Sequence, residues 1–318
     1  MHHSLAQHAA WLALTIAYVQ NSFLAFDFTQ LLRILKDYPA ARLAIVMFIV
    51  TAPHPPKGLN TMPQPTDDIS RALAYALDPV LWTQDVVGWT PDPWQERLLH
   101  SAATQLALCC GRQVGKSSVV AALACHTAVF NADALIILIA PSQRQSRELA
   151  LKVGSFLGSI EPHEELEESN KLSIRLARTR SRIVALPGHD PKTIRGFSSP
   201  RLIVVDEAAF VLDETYAALV PMLAASPEGR IALLSTPFLQ QGFFYAAWHG
   251  FGNWERYEVP SRDCPRISAT WLEERRREDP LKFAREYECS WSAGADCLFS
   301  DELLNRITRD DYELFPAF

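Results

Sequence analysis

Cys110-Gly111-Arg112-Gln113-Val114-Gly115-Lys116-Ser117 is followed about ninety residues later by Leu202-Ile203-Val204-Val205-Asp206-Glu207. The apolar run Leu106 to Cys110 reads as a buried strand, and Val119 to Cys125 as the opening of a helix. A glycine-bearing turn between them aims backbone N–H groups at one point, at the positive end of a helix. Gly111, Gln113, Val114, Gly115 and Ser118 belong to that phosphate cradle. Lys116 is expected at the β- and γ-phosphates, and the Ser117 hydroxyl on Mg²⁺. The usual pattern places a glycine six positions before the lysine; here Cys110 holds that position and the glycine follows at Gly111.

The second stretch is too short for a helix and rich in β-branched residues, so it reads as a strand ending in two carboxylates. In an open α/β sheet such an end lies on the ligand side. The expected roles are Asp206 on the Mg²⁺ shell and Glu207 as the base that polarises the attacking water. ATP and Mg²⁺ are therefore the expected cofactors. Arg112 is either a structural charge or an arginine delivered in cis to the γ-phosphate. Pro93-Trp94-Gln95 is either a nucleotide contact, with Trp94 as a stacking surface and Gln95 donating to and accepting from an adenine edge, or a core Trp beside a helix-start Gln. Ser235-Thr236-Pro237 follows the apolar run Ile231 to Leu234, which is expected beside the phosphate-loop strand. A hydroxyl there is either a sensor of the γ-phosphate or part of an ordinary turn.

The 318 residues accommodate one large or two modest domains, and 48% apolar residues supply a sizeable core. The net charge of −6 excludes a global basic field. Charge is nevertheless uneven: positions 171, 175, 178, 180, 182, 192, 195 and 201 are Lys or Arg, against the single acid Asp190. This hairpin-like region is either a solvated face or a surface that tracks DNA phosphates, with Arg175, Arg178, Arg180 and Arg182 as the contacts. None of the six cysteines forms a C-x-x-C pair and the nine histidines do not cluster with them, so no structural zinc site is legible. Cys109, Cys110 and Cys125 lie in apolar segments, as reduced thiols do.

Alternating short apolar runs and helical stretches from Asp78 onward argue for an α/β fold, a mostly parallel sheet flanked by helices. Strands are expected over residues 134–140, 173–176, 182–186, 202–206 and 231–234, and a helix over 142–156. Charged amphipathic helices are expected over 268–278 and 280–288. The apolar runs Trp11 to Val19 and Ala44 to Val50 fall short of the ~20 residues that span a bilayer, so no membrane association is expected. A proline-rich breaker over residues 52–65 contains Met62, and the segment before it is either an over-extension of the reading frame, with Met62 as the natural start, or a loosely attached helical hairpin. The resulting division is a doubtful extension over 1–61, a P-loop ATPase domain over 62–258, and a helical subdomain with a tail over 259–318.

From about Leu77 to Phe299 these pieces, in their order, resemble the ATPase half of large terminase subunits, the DNA-packaging motors of tailed bacteriophages. The resemblance is carried by Leu77-Asp78-Pro79, Leu81-Trp82, Pro93-Trp94-Gln95, the loop itself, Ala140-Pro141-Ser142 and Arg147-Glu148-Leu149. It continues through Thr193-Ile194-Arg195-Gly196, the carboxylate strand, Leu234-Ser235-Thr236-Pro237, Gly242-Phe243-Phe244-Tyr245, Trp248, Phe283-Ala284-Arg285-Glu286-Tyr287 and Leu298-Phe299. It implies a ring of ATPase subunits, docked on a portal protein beside a small terminase subunit, that drives double-stranded DNA into a procapsid in the host bacterial cytoplasm. It also implies that Gln95 serves the adenine, Arg112 the γ-phosphate, and Ser235-Thr236-Pro237 the coupling of hydrolysis to movement.

Large terminases usually continue into a nuclease domain resembling ribonuclease H. This sequence stops at Phe318, and Asp301, Glu302, Asp310, Asp311 and Glu313 read as a solvated acidic tail, so no DNA cleavage is expected of it. Two other readings stay open. A helicase-like DNA-dependent ATPase is suggested by Pro141-Ser142 and Arg147-Glu148-Leu149-Ala150, although the 69 residues after His249 are too few for a second helicase sheet domain. A non-catalytic prophage remnant would keep the fold without turnover.

Overall fold

A computed structural model describes residues 65–160, 166–169 and 172–292. The expectations for residues 1–61 and for the acidic tail lie outside the described residues. In chain order, α1 (Pro65–Leu77), α2 (Pro79–Trp82) and α3 (Pro93–His100) precede β1 (Gln105–Cys110). Then α4 (Lys116–Phe130) leads to β2 (Leu135–Ala140), and α5 (Gln143–Gly158) to β3 (Leu166–Ser169), β4 (Ser173–Leu176) and β5 (Arg182–Pro187). After a short α6 (Pro191–Ile194) come β6 (Leu202–Asp206), α7 (Asp213–Ala224), β7 (Arg230–Ser235) and α8 (Gly242–His249). The last described elements are β8 (Glu255–Val259), α9 (Ala269–Glu278) and α10 (Pro280–Tyr287).

The strands form one sheet in the order β3-β4-β5-β2-β6-β7-β1-β8. From β5 to β8 all neighbours are parallel, and β3 and β4 join antiparallel at one edge. Central strands of a parallel sheet are buried on both faces, which is why β2, β6 and β7 are nearly unbroken apolar runs. Their alternate residues separate cleanly. Ile136, Leu138, Val204, Ala232 and Leu234 face a core shared with Leu98 of α3, Val119 and Val120 of α4, and Leu149 and Val153 of α5. Ile137, Ile139, Ile203, Val205, Ile231 and Leu233 face a second core with Leu219 of α7 and Phe243 and Phe244 of α8. Each of these Val, Leu, Ile and Phe side chains contributes roughly 1.5–3 kcal/mol by leaving water.

The expected alternation and the mostly parallel sheet are both present. The hairpin of β4 and β5 is as anticipated, with Ile174 opposite Ile183. Strand β8 was not anticipated: only Tyr257 and Val259 of its five residues are buried, so it lacks an apolar run. It adds to the sheet in parallel beside β1, pairing Leu108 with Tyr257. This edge strand delivers the chain to the phosphate loop, because Val259 lies opposite Cys110.

Candidate active site

The parallel strands send their C-terminal ends to one edge of the sheet, and there the loop after β1 meets the carboxylates after β6, with β7 between them. The loop turns twice through the left-handed region, at Gln113 (φ 66°) and at Gly115 (φ 93°), before α4 begins at Lys116. Among the described residues, no acceptor meets the N–H groups of Gln113, Val114, Gly115, Lys116 or Ser117, whereas Ser118 N–H donates to the Gly115 carbonyl at 3.2 Å. Five consecutive donors without an acceptor at a helix N-terminus are an arrangement that suits an anion.

Lys116 is 8% exposed, donates through Nζ to the Gly111 carbonyl at 3.2 Å and stands 4.0 Å from Glu207 Oε1. Ser117 Oγ lies 3.5 Å from Asp206 Oδ2. Burial, with the neighbouring Glu207 charge, pushes the Asp206 carboxyl up to about 6, against the opposing pull of Lys116. Glu207 itself has φ 49° and ψ 48°, a left-handed conformation that costs a side-chain-bearing residue about 1–3 kcal/mol and clusters at functional sites. Its backbone N–H donates to Asp206 Oδ1 at 3.0 Å, and its Oε2 accepts from Ser235 Oγ at 3.3 Å. Ser235 and Thr236 are buried, and the Phe238 ring that follows Pro237 packs on Phe210 at 4.9 Å. The expected neighbourhood of β7 and β1 is therefore present, and it puts a hydroxyl against the second carboxylate.

Arg112 is tied to α10. Its guanidinium donates to the Glu286 carboxylate, its backbone N–H donates to the Glu286 carbonyl at 2.8 Å, and Glu286 is buried. Arg285 also donates to this carboxylate, at 3.3 Å. Gln95 is 1% exposed and its amide is engaged at both ends: Oε1 accepts from Asp92 N–H at 2.7 Å and Nε2 donates to the Gly115 carbonyl at 3.2 Å. Trp94 is a core residue on α3. The displaced glycine has a steric reason, since a Cβ at Gly111 would lie 2.3 Å from Ser261 Oγ and 2.9 Å from the Tyr287 carbonyl.

The basic hairpin sits elsewhere. The turn between β4 and β5 precedes the start of β5, at the sheet edge opposite the loop. Arg180 makes a two-pronged pair with Asp133 at 2.8 and 2.9 Å, and Arg178 donates to the Val129 carbonyl at 3.3 Å. Arg182 donates to Ser173 Oγ at 3.5 Å and lies over the Phe197 ring, while Arg175 stands exposed on β4 directly opposite Arg182. The structure therefore brings Lys116, Ser117, Asp206, Glu207 and Ser235 together and leaves these four arginines apart from them.

Glu286, Ser261, Cys264, Arg266 and Asp92 touch the loop or its braces without having been singled out by role. Among the described residues, no group of three His, Cys, Asp or Glu side chains forms a metal cluster by itself. No described helix is long and apolar enough to cross a membrane.

The family model described as terminase large subunit, T4likevirus-type, N-terminal, matches residues 108–306, more than half of the chain. No curated protein sequence matches. Among solved structures, the large terminase ATPase domain of Thermus phage P74-26 is similar at 21% identity and a TM-score of 0.59, covering 68% of this chain and 99% of that one. The large terminase of bacteriophage HK97 is similar at 15% identity and a TM-score of 0.56, over 68% of this chain and 55% of that one. The large terminase of a thermophilic bacteriophage, in complex with ADP, is similar at 11% identity and a TM-score of 0.52, over 68% and 52% respectively. This chain thus spans about half the length of the last two proteins. At these identities the likeness is one of fold: a P-loop ATPase sheet with helices on both faces.

Proposed function

Because the chain belongs to the family of large terminase subunits, to their N-terminal ATPase region, we propose that it hydrolyses ATP to move double-stranded phage DNA into a procapsid. The observation that carries this reading is the crowding of Lys116 against Glu207, with Ser117 against Asp206, at the ends of strands in one sheet. In this reading Lys116 and the free N–H groups of Gln113 to Ser117 hold the β- and γ-phosphates. Glu207, oriented by Ser235, accepts a proton from the attacking water. Arg112 reaches the γ-phosphate by leaving Glu286, and Arg285 remains to neutralise that buried carboxylate. Gln95 lies at the edge of the loop from which an adenine would be met, its amide kept on Asp92 and Gly115 and its second Nε2 proton offered to the base.

One hydroxyl and one carboxylate are hard oxygen donors of the kind Mg²⁺ takes. The raised Asp206 carboxyl, crowded by Glu207, fits a place prepared for a cation. Ser117 and Asp206 would hold the ion, which when bound offsets charge on the β- and γ-phosphates. The partners of this reading are DNA, a small terminase subunit, a portal protein and further copies of the chain in a ring, in the host cytoplasm. Ser235-Thr236-Pro237 couples hydrolysis to movement, since it joins Glu207 to the Phe238–Phe210 contact. DNA contact through Arg175, Arg178, Arg180 and Arg182 belongs to the same reading, on the face away from the nucleotide.

The translocation reading is tested with the full chain assembled on its portal. Mg·ATP should drive displacement of a third strand from triplex DNA and leave a forked duplex unopened. Unwinding of the fork would favour a helicase-like ATPase instead.

A further inference from the structure

In a planar trans peptide the carbonyl and the next N–H point in opposite directions, so holding one outward aims the other inward. The carbonyls of four consecutive loop residues are each held from outside. The Arg112 carbonyl accepts from Ser261 Oγ at 2.8 Å, and the Gln113 carbonyl from Cys264 Sγ at 3.8 Å. The Val114 carbonyl accepts from Arg266 Nη2 at 3.5 Å, and the Gly115 carbonyl from Gln95 Nε2 at 3.2 Å. The peptide N–H groups thereby turned to the other side are those of Gln113, Val114, Gly115 and Lys116, which have no acceptor among the described residues.

Three of the four donors come from one short turn after β8, and they reach three successive carbonyls in order. Ser261 and Cys264 are buried. Arg266 is more exposed, but Asp92 grips both of its terminal nitrogens at 2.7 Å. Asp92 also anchors Gln95 through its backbone N–H at 2.7 Å, so one residue steadies two of the donors. The displaced glycine fits the same device: only a residue without a Cβ lets the turn approach as closely as Ser261 approaches Gly111.

We propose that Ser261, Cys264 and Arg266 form an outer collar that positions the phosphate loop for nucleotide, acting on its carbonyls and not touching the ligand. The inference rests on the nucleotide-binding reading of that loop. These are positioning residues: they pre-set the cradle before ATP arrives, so removing a donor lets the loop peptides rotate and lowers affinity without altering the chemical step.

The test compares Ser261→Ala, Arg266→Ala and Lys116→Ala in the full chain, measuring Mg·ATP binding and steady-state hydrolysis. Ser261→Ala and Arg266→Ala should each raise KM for ATP about tenfold, as loss of one hydrogen bond to a site does, with kcat within about twofold of wild type. A merely structural role would instead shrink the active fraction, lowering apparent kcat at unchanged KM. If Ser261→Ala does not fold, Arg266→Ala carries the test, because its side chain is 55% exposed. Wild-type KM in the collar variants, with binding lost in Lys116→Ala, would overturn the collar and leave the nucleotide site standing. Unaltered ATP binding in Lys116→Ala would remove the nucleotide reading and the collar with it.

Discussion

Two charged regions sit at opposite edges of the same sheet, and they are built on different terms. At the hairpin edge, Arg180 meets Asp133 in the open, Arg178 caps a carbonyl and Arg182 lies on a ring. At the loop edge, a buried lysine stands 4.0 Å from one carboxylate while another is pressed against a hydroxyl, and a glutamate is held in a left-handed conformation. The first arrangement settles its charges within the chain and in solvent. The second partners its side chains at close quarters but leaves five consecutive backbone N–H groups, those of Gln113 to Ser117, without an acceptor among the described residues, and in the proposed reading a nucleotide supplies it. The density of positive charge, higher in the hairpin region, points to the wrong edge for chemistry.

The largest effect that would sharpen this contrast is expected at Arg112. Replacing it with Ala should lower kcat by at least ~10³-fold, and Arg112→Lys should recover little, because an ammonium lacks the planar fork. A loss below tenfold would make Arg112 a brace for Glu286 only, and its region would then resemble the hairpin.

A smaller effect concerns Asp206 in metal-free protein. Its folded carboxyl is raised to about 6 from an ordinary 3.8. The unfolded chain therefore releases this proton first, and the carboxyl's contribution to stability, complete below pH 4, is lost as pH rises towards 6. The stability difference between wild type and Asp206→Asn should move against wild type by about 1–3 kcal/mol between pH 4 and 7, read by denaturant unfolding in chelator. A flat difference would mean that the carboxyl is no more confined than a surface one.

The smallest effect belongs to the other edge. Arg180→Ala breaks an exposed ion pair, and exposed pairs contribute little. ATP hydrolysis should be unchanged and the melting temperature nearly so. A collapse of ATP turnover there would erase the distinction between the two edges.

Much of this arrangement is legible in the sequence, for a local reason. Strands β2, β6 and β7 are buried on both faces and so must be apolar throughout, and the loop and the carboxylate pair are contiguous motifs. Strand β8 is hidden because its exposed Glu255, Arg256 and Glu258 obscure the two inward residues, and only its pairing with β1 makes it a strand. Glu286 and Ser261 are hidden because their partner Arg112 lies 174 and 149 residues away, and a contact at that separation leaves no spacing to read. Gly111 is the one local trace of the collar, a glycine one place away from where a phosphate loop usually carries it. The hairpin arginines show the converse: a strong local signal whose neighbours, Asp133 and Val129, are supplied by the fold.

In the proposed function Lys116, Asp206 and Glu207 form a site that binds and cleaves ATP. Its most direct test is single-turnover phosphate release from Mg·[γ-³²P]ATP by wild type and Glu207→Gln, with nucleotide binding measured in parallel. Glu207→Gln should bind ATP as tightly as wild type and release phosphate at least ~10³-fold more slowly. Phosphate release at the wild-type rate by Glu207→Gln would remove Glu207 from the chemical step and with it the proposed site.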